Sequence, residues 1–269
     1  MKSPANQNTS ATYSGRNLHG QVVKALGHGV LGGAYPAGEL LPNEEVLCRS
    51  LDVSRTALRE AIKVLAAKGL LESRPRVGTW VRPESSWNML DPDVLSWRCA
   101  TGPDAQFLQH LTEMREIIEP AAAALAARSR SPAQLADLEQ AFQAMEAATN
   151  VNEWVEADLA FHSAVLQATN NPLLVPLAAI IGSALESLLG ISARKAGGFS
   201  DALPDHRKVL DAIRAADPQR ALHRMAVMLS DTRDLMQRSN MLADAVAEAL
   251  PVVDAAVDGA NIKSADTPA

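Results

Sequence analysis

The chain has 269 residues, 47% of them hydrophobic and 21% charged, with a formal net charge of −6. That length suits one large or two modest globular domains, and the composition excludes a disordered or fibrous chain. Charge is spread unevenly: residues 16–82 carry 10 Lys+Arg against 6 Asp+Glu and residues 83–269 carry 14 against 25, so a basic module precedes an acidic body.

Residues 1–15 are polar and lack the apolar core of a secretory signal, so they read as a disordered tail. From Leu18 to Leu31 the apolar residues Leu18, Val22, Leu26 and Val30 recur every four positions, the period of a helix that Gly32-Gly33 then ends. "YPAGELLP" breaks the chain, and "NEEVLCRSL" supplies a second helix with acidic residues in its first turn. Ser54 is placed to N-cap a third helix whose apolar face is Leu58, Ala61, Ile62 and Leu65, with Gly69 as its stop. Leu70–Ser73 and Thr79–Val81 read as two short strands around "RPRVG", which makes residues 16–82 a winged helix-turn-helix.

Residues 83–105 mix prolines with Trp87 and Trp97 and show no sustained period, so a linker is expected there, with Trp87, Leu90 and Trp97 packed against a neighbour. Residues 106–240 are helical and alanine-rich, broken near "RSRSP", "TNNP", "AGGFSDALPD" and "AADP", which predicts an antiparallel helical bundle and a mainly α protein. The apolar stretch 173–193 is about long enough to span a bilayer. Pro176, Ser183, Glu186 and Ser187 within it argue for a buried bundle helix instead. Residues 241–269 begin with helical character and end as a polar tail. Cys48 and Cys99 lie outside any metal-ligand spacing, as expected of reduced thiols in a cytoplasmic protein.

Residues four apart on a helix are rotated by only about 40°, so Arg55, Arg59 and Lys63 form one basic stripe opposite the apolar face of the third helix. A solvated surface explains such a stripe on an arbitrary helix. At the start of the third helix of a helix-turn-helix, the same stripe is placed to meet base edges and phosphates in a major groove. The wing adds Arg74, Arg76 and Gly78, the glycine allowing close approach to the sugar-phosphate chain.

The segment "LLPNEEVLCRSLDVSRTALREAIKVLAAKGLLESRPRVGTWV" resembles the amino-terminal domain of the GntR family of bacterial transcription regulators. The resemblance implies operator DNA as partner, with Ser54, Arg55, Thr56 and Arg59 as contacts and Gly78 at the wing tip. Glu45 stands where some members carry an arginine.

In the acidic body, Asp158 and His162 stand at i and i+4, a ligand-pair spacing that also suits an ordinary surface or capping contact. The segment 106–238 is similar to the all-helical FCD sensor of the FadR subfamily, including "EMREIIEPAAAALAAR". That similarity implies a divalent metal such as Zn held by Asp158, His162 and His206. The fourth family ligand falls at Met228, and His223, five residues earlier, is about 140° round the helix. Arg115 matches an arginine that faces the effector cavity, where its fork would clamp a carboxylate; an intrahelical pair with Glu119 or Glu116 is the alternative. "WNMLDPDVLSW" resembles the linker of members that govern sugar-acid catabolism, galactonate regulators among them. The expectation is a homodimeric, cytoplasmic repressor of a sugar-acid operon, released by a small carboxylate and independent of any membrane. A metalloenzyme built on Asp158, His162 and His206 and an effector-free DNA binder are the alternatives. No nucleophile motif accompanies the cluster, which argues against the enzyme.

Overall fold

The computed structural model describes residues 18–102, 104–182 and 200–238. Both terminal tails, and the part of the apolar stretch 173–193 beyond residue 182, lie outside the described residues.

Helix α1 (Leu18–Leu31) buries Val22, Val23, Leu26 and Val30 and ends where Gly33 takes a positive φ of 80°. Asn43 caps α2 (Glu44–Leu51) by accepting from the Val46 amide, and Asp52 turns the chain with a left-handed φ of 52°. Ser54 caps α3 (Arg55–Ala67), whose buried residues are the Leu58, Ala61, Ile62 and Leu65 expected from the pattern.

At the end of α3 the Gly69 amide donates to Ala66 O and the Leu70 amide to Leu65 O, the paired bonds of a Schellman motif. Gly69 is required there twice over. Its φ is +80°, and a Cβ on it would stand 2.3 Å from Ser86 O. Because this motif consumes the Leu70 amide, the strand begins one residue later than the pattern suggested. Strands β1 (Leu71–Arg74) and β2 (Gly78–Val81) pair antiparallel, Leu71 opposite Val81 and Arg74 opposite Gly78. An isolated antiparallel bridge between Leu40 and Trp80 brings a third segment against β2.

Within the expected linker the chain forms a nine-residue helix, α4 (Pro92–Ala100), that the lack of a sustained period did not reveal. Pro92 reads as a breaker in sequence but sits in the first turn, where its missing N–H costs nothing, and Asp91 accepts from the amides of Asp93 and Val94. Val94 and Trp97 enter the same core as the winged helix, and a Cβ on Gly27 of α1 would meet the Trp97 ring at 2.5 Å. Lys68, at the carboxyl end of α3, reaches Asp91 at 2.7 Å and Asp93 at 2.9 Å and lies over the Trp97 ring. Leu95, on α4, packs instead with Leu108, Leu111 and Ile180. Leu90 is 64% exposed, against the expectation that it packs, while Trp87 and Trp97 do pack.

The body consists of α5 (Ala105–Ser129), α6 (Pro132–Ala147), α7 (Val151–Gln167), α8 (Leu203–Arg214) and α9 (Pro218–Arg238), with a further helical stretch at 177–182. Breaks fall at "RSRSP", "TNNP" and "AADP" as expected, and a further one at 148–150, between α6 and α7, was not expected. Ser131 closes a capping box with Gln134, and Asn150 caps α7. Buried Ala122, Ala123, Ala126 and Ala127 leave room on α5 for the large side chains Phe142, Phe161, Leu138 and Met145. Among the described residues no helix is long and apolar enough to cross a membrane.

Candidate functional site

On α3 the side chains of Arg55, Thr56, Arg59 and Lys63 are all exposed, opposite the buried face, as the spacing requires. Ser54 is exposed as well, but its oxygen accepts from the Ala57 amide, so it serves the helix first. Arg59 is not idle: its Nε lies 2.9 Å from Glu44 Oε1 and its Nη2 3.0 Å from Glu44 Oε2, a two-point clasp across α2 and α3. Lys63 pairs with Glu60 at 2.7 Å, and Glu45 with Arg49 at 3.5 Å. At the wing, Arg74 pairs with Glu72 at 2.9 Å and lies over the Trp80 ring. Arg76 occupies the turn with φ of 65°, next to Gly78 with φ of 129°. Arg55 and Arg76 are both exposed, and Arg55 acts on Glu44 only through space.

The second constellation is inside the bundle. Asp158 and His162 from α7, His206 from α8, and Arg115 and Glu119 from α5 are each between 1% and 4% exposed. One ligand atom from each of Asp158, His162 and His206 lies within 4.8 Å of the others. His206 Nδ1 faces Ala202 O at 2.9 Å, which directs Nε2 inward, 2.9 Å from Asp158 Oδ1. His162 Nε2 is 3.8 Å from the same oxygen, and its Nδ1 contacts Glu119 Oε2. Glu119 Oε1 accepts from Arg115 Nε at 2.6 Å. Phe161 meets both imidazoles edge-on, and Trp154 meets His206 in the same manner, so aromatic rings wall the cluster.

Electrostatics follow from this packing. Burial would raise the Glu119 carboxyl, but Arg115 and then His162 outweigh it and hold it at about 2. Asp158 is likewise held at about 2 against its burial by His162, His206 and Arg115. For His206, burial works to lower the pKa and the Asp158 carboxylate overcomes it, so the net direction is upward.

The donor set fits a divalent cation of the zinc type: one carboxylate oxygen and two imidazole nitrogens converge in a buried pocket. His206 Nε2, close to Asp158, lacks a hydrogen-bond partner of its own. Glu119 behind His162 is the carboxylate support that metal-binding histidines commonly have. Met228 is buried in the bundle core and offers no nitrogen, whereas His223 is exposed on α9 and does not replace it. The sequence named Glu119 only as an alternative partner of Arg115; the i, i+4 spacing in "REIIE" was the available signal. Glu116, the other alternative, pairs with Arg233 at 2.8 Å.

A winged helix with an exposed basic stripe, joined to a helical body with a buried ionic centre, is the architecture of a DNA-binding transcription regulator. Residues 18–81 match the family described as bacterial regulatory proteins, gntR family, and residues 110–231 match the FCD domain. The chain belongs to the GntR family. It is 34% identical over 228 residues to the galactonate operon transcriptional repressor of Escherichia coli K12, covering 82% of this chain and 98% of that one. It is also 29% identical over 211 residues to the HTH-type transcriptional regulator LutR of Bacillus subtilis 168, covering 76% of this chain and 94% of that one. The solved structure of Lar from Listeria monocytogenes shares the fold, with a TM-score of 0.59 at 21% identity over 83% of this chain and 98% of that one.

Proposed function

We propose that this regulator is a homodimeric repressor of a sugar-acid catabolic operon, released from its operator when a small carboxylate enters the bundle. The observation that carries the sensing role is the buried centre. Arg115, a cation in an acidic body, lies among Glu119, Asp158, His162 and His206, and such a cost in desolvation is characteristic of a ligand site rather than of packing. The galactonate operon repressor of Escherichia coli, to which the chain is similar, supports the choice of sugar acid.

Asp158, His162 and His206 would hold the metal, which supplies a positive point for a carboxylate oxygen. Arg115, whose Nε donates to Glu119, lies beside the same pocket and would offer the rest of its guanidinium to the anion, while Glu119 backs His162. On the DNA side, Arg55, Thr56, Arg59 and Lys63 enter the major groove and Arg76 and Gly78 follow the backbone. A ligand that prefers one placement of the two winged helices shifts the dimer to it.

The test is paired. Arg55→Ala and Arg59→Ala should each weaken binding to the operator by about 1–3 kcal/mol, measured at fixed salt, with the fold unchanged. D-galactonate and other hexonates should raise the melting temperature of the wild type and release it from operator. An operator affinity that no member of a panel of hexonates, hexuronates and dicarboxylates changes would reject the sensing role in favour of an effector-free DNA binder.

A further inference from the structure

The Arg59–Glu44 clasp ties the proposed DNA-reading face to the preceding helix by a two-point ion pair. Glu44 is the first residue of α2, where the helix dipole favours its charge, and Arg55 acts on it through space from the same side as Arg59. Arg59 Nε and one hydrogen of Nη2 point to Glu44. Five N–H donors make up a guanidinium, so Nη1 and the second Nη2 hydrogen remain for another acceptor.

Two consequences follow. A clasped Arg59 has lost most of the freedom of its long side chain, and its remaining edge is a fixed pair of donors matched to two adjacent acceptors, as on a guanine. The clasped pair is also electrically neutral. Attraction to phosphates, which rewards any cation irrespective of sequence, is therefore weakened at Arg59, while hydrogen bonding to neutral base acceptors is kept. Arg55, one turn earlier, makes no direct contact with Glu44 and acts on it only through space, so it keeps more of its attraction for phosphate than the clasped Arg59.

We infer that Glu44 is a specificity-determining residue: it positions Arg59 for a base edge and, by cancelling its charge, suppresses binding to arbitrary DNA. This rests on the reading of Arg59 as an operator contact. Glu44 touches no base; it acts through Arg59 and is a positioning residue. The wing repeats the arrangement in weaker form, with Arg74 held by Glu72 on its own strand.

The experiment uses the full chain, a duplex recovered by in vitro selection with the wild type, and a scrambled duplex of equal length, over a range of salt. Glu44→Gln should strengthen binding to the scrambled duplex, lower the ratio of selected to scrambled affinity about tenfold, and steepen the salt dependence by about one. Placed on Arg59→Ala, the same change should have no further effect on the ratio. An unchanged ratio and slope in Glu44→Gln, with Arg59→Ala impaired, overturns the inference alone. Wild-type affinity in Arg59→Ala overturns the underlying reading of Arg59. Equal weakening of both duplexes together with a lowered melting temperature assigns Glu44 a merely structural part and also overturns it.

Discussion

Arg115 carries two duties that pull on the same guanidinium. It balances Glu119 at 2.6 Å, and it bears on Asp158 and His206 across the pocket. Truncation to alanine strands a buried carboxylate, a loss of about 3–5 kcal/mol, so Arg115→Lys separates the duties better. We expect that variant to fold and bind operator but to lose at least tenfold in affinity for a hexonate by calorimetry, because an ammonium lacks the planar fork. A hexonate affinity within about threefold of wild type, under 1 kcal/mol, would remove Arg115 from the ligand site.

The same centre sets a pH dependence. Glu119 and Asp158 are both held at about 2, below ordinary values of 4.5 and 3.8, so they add stability that is present above those values and lost as pH falls toward 2. His206 is raised, so its contribution is full below 6.5 and is lost as pH rises through its folded value. Stability of the metal-free protein should therefore climb from pH 2 to about 4.5 and decline on the alkaline side of 6.5. Chemical denaturation across that range checks it, and Glu119→Gln should flatten the acid limb.

At the level of elements, α4 is what joins the winged helix to the helical body. Val94 and Trp97 belong to the core of the winged helix and Leu95 to the junction with α5, so one nine-residue helix is shared by both. Arg98 adds to the junction, pairing with Asp104 at 2.7 Å and lying over the Phe107 ring. Lys68 is the polar tie between α4 and α3, bound to two carboxylates and over an aromatic ring. Lys68→Met should leave Asp91 and Asp93 uncompensated and loosen α4 from the winged helix. The expected signature in calorimetry is a single unfolding transition split into two, with operator binding retained and release by hexonate diminished. One cooperative transition at the wild-type temperature would show that the apolar contacts of α4 suffice. Periodicity could not find this helix, since nine residues buried on two sides show no polar face; the D-P pair that caps it was the legible sign.

For the molecule as a whole, a basic winged helix and an acidic body fold around separate cores, and in the proposed repressor ligand energy entering one must be felt in the other. Metal belongs to this scale, because a cation bound only by the folded bundle stabilises the entire chain by mass action. Zn²⁺ added to chelator-treated protein should raise the melting temperature of the bundle, and His162→Ala with His206→Ala should abolish the rise without weakening operator binding in the absence of ligand. A rise of equal size in the double variant would place the metal elsewhere. The winged helix and its basic stripe were determined by the sequence alone, because caps, turns and four-residue spacing are local and act within a few residues of where they are written. The bundle was determined as a class in the same way. Which charges meet was decided only by tertiary structure: Arg115, Glu119, Asp158, His162 and His206 come from three helices, and Glu44 reaches Arg59 across a turn. Pairing over such separations depends on how helices pack, and no local period records it.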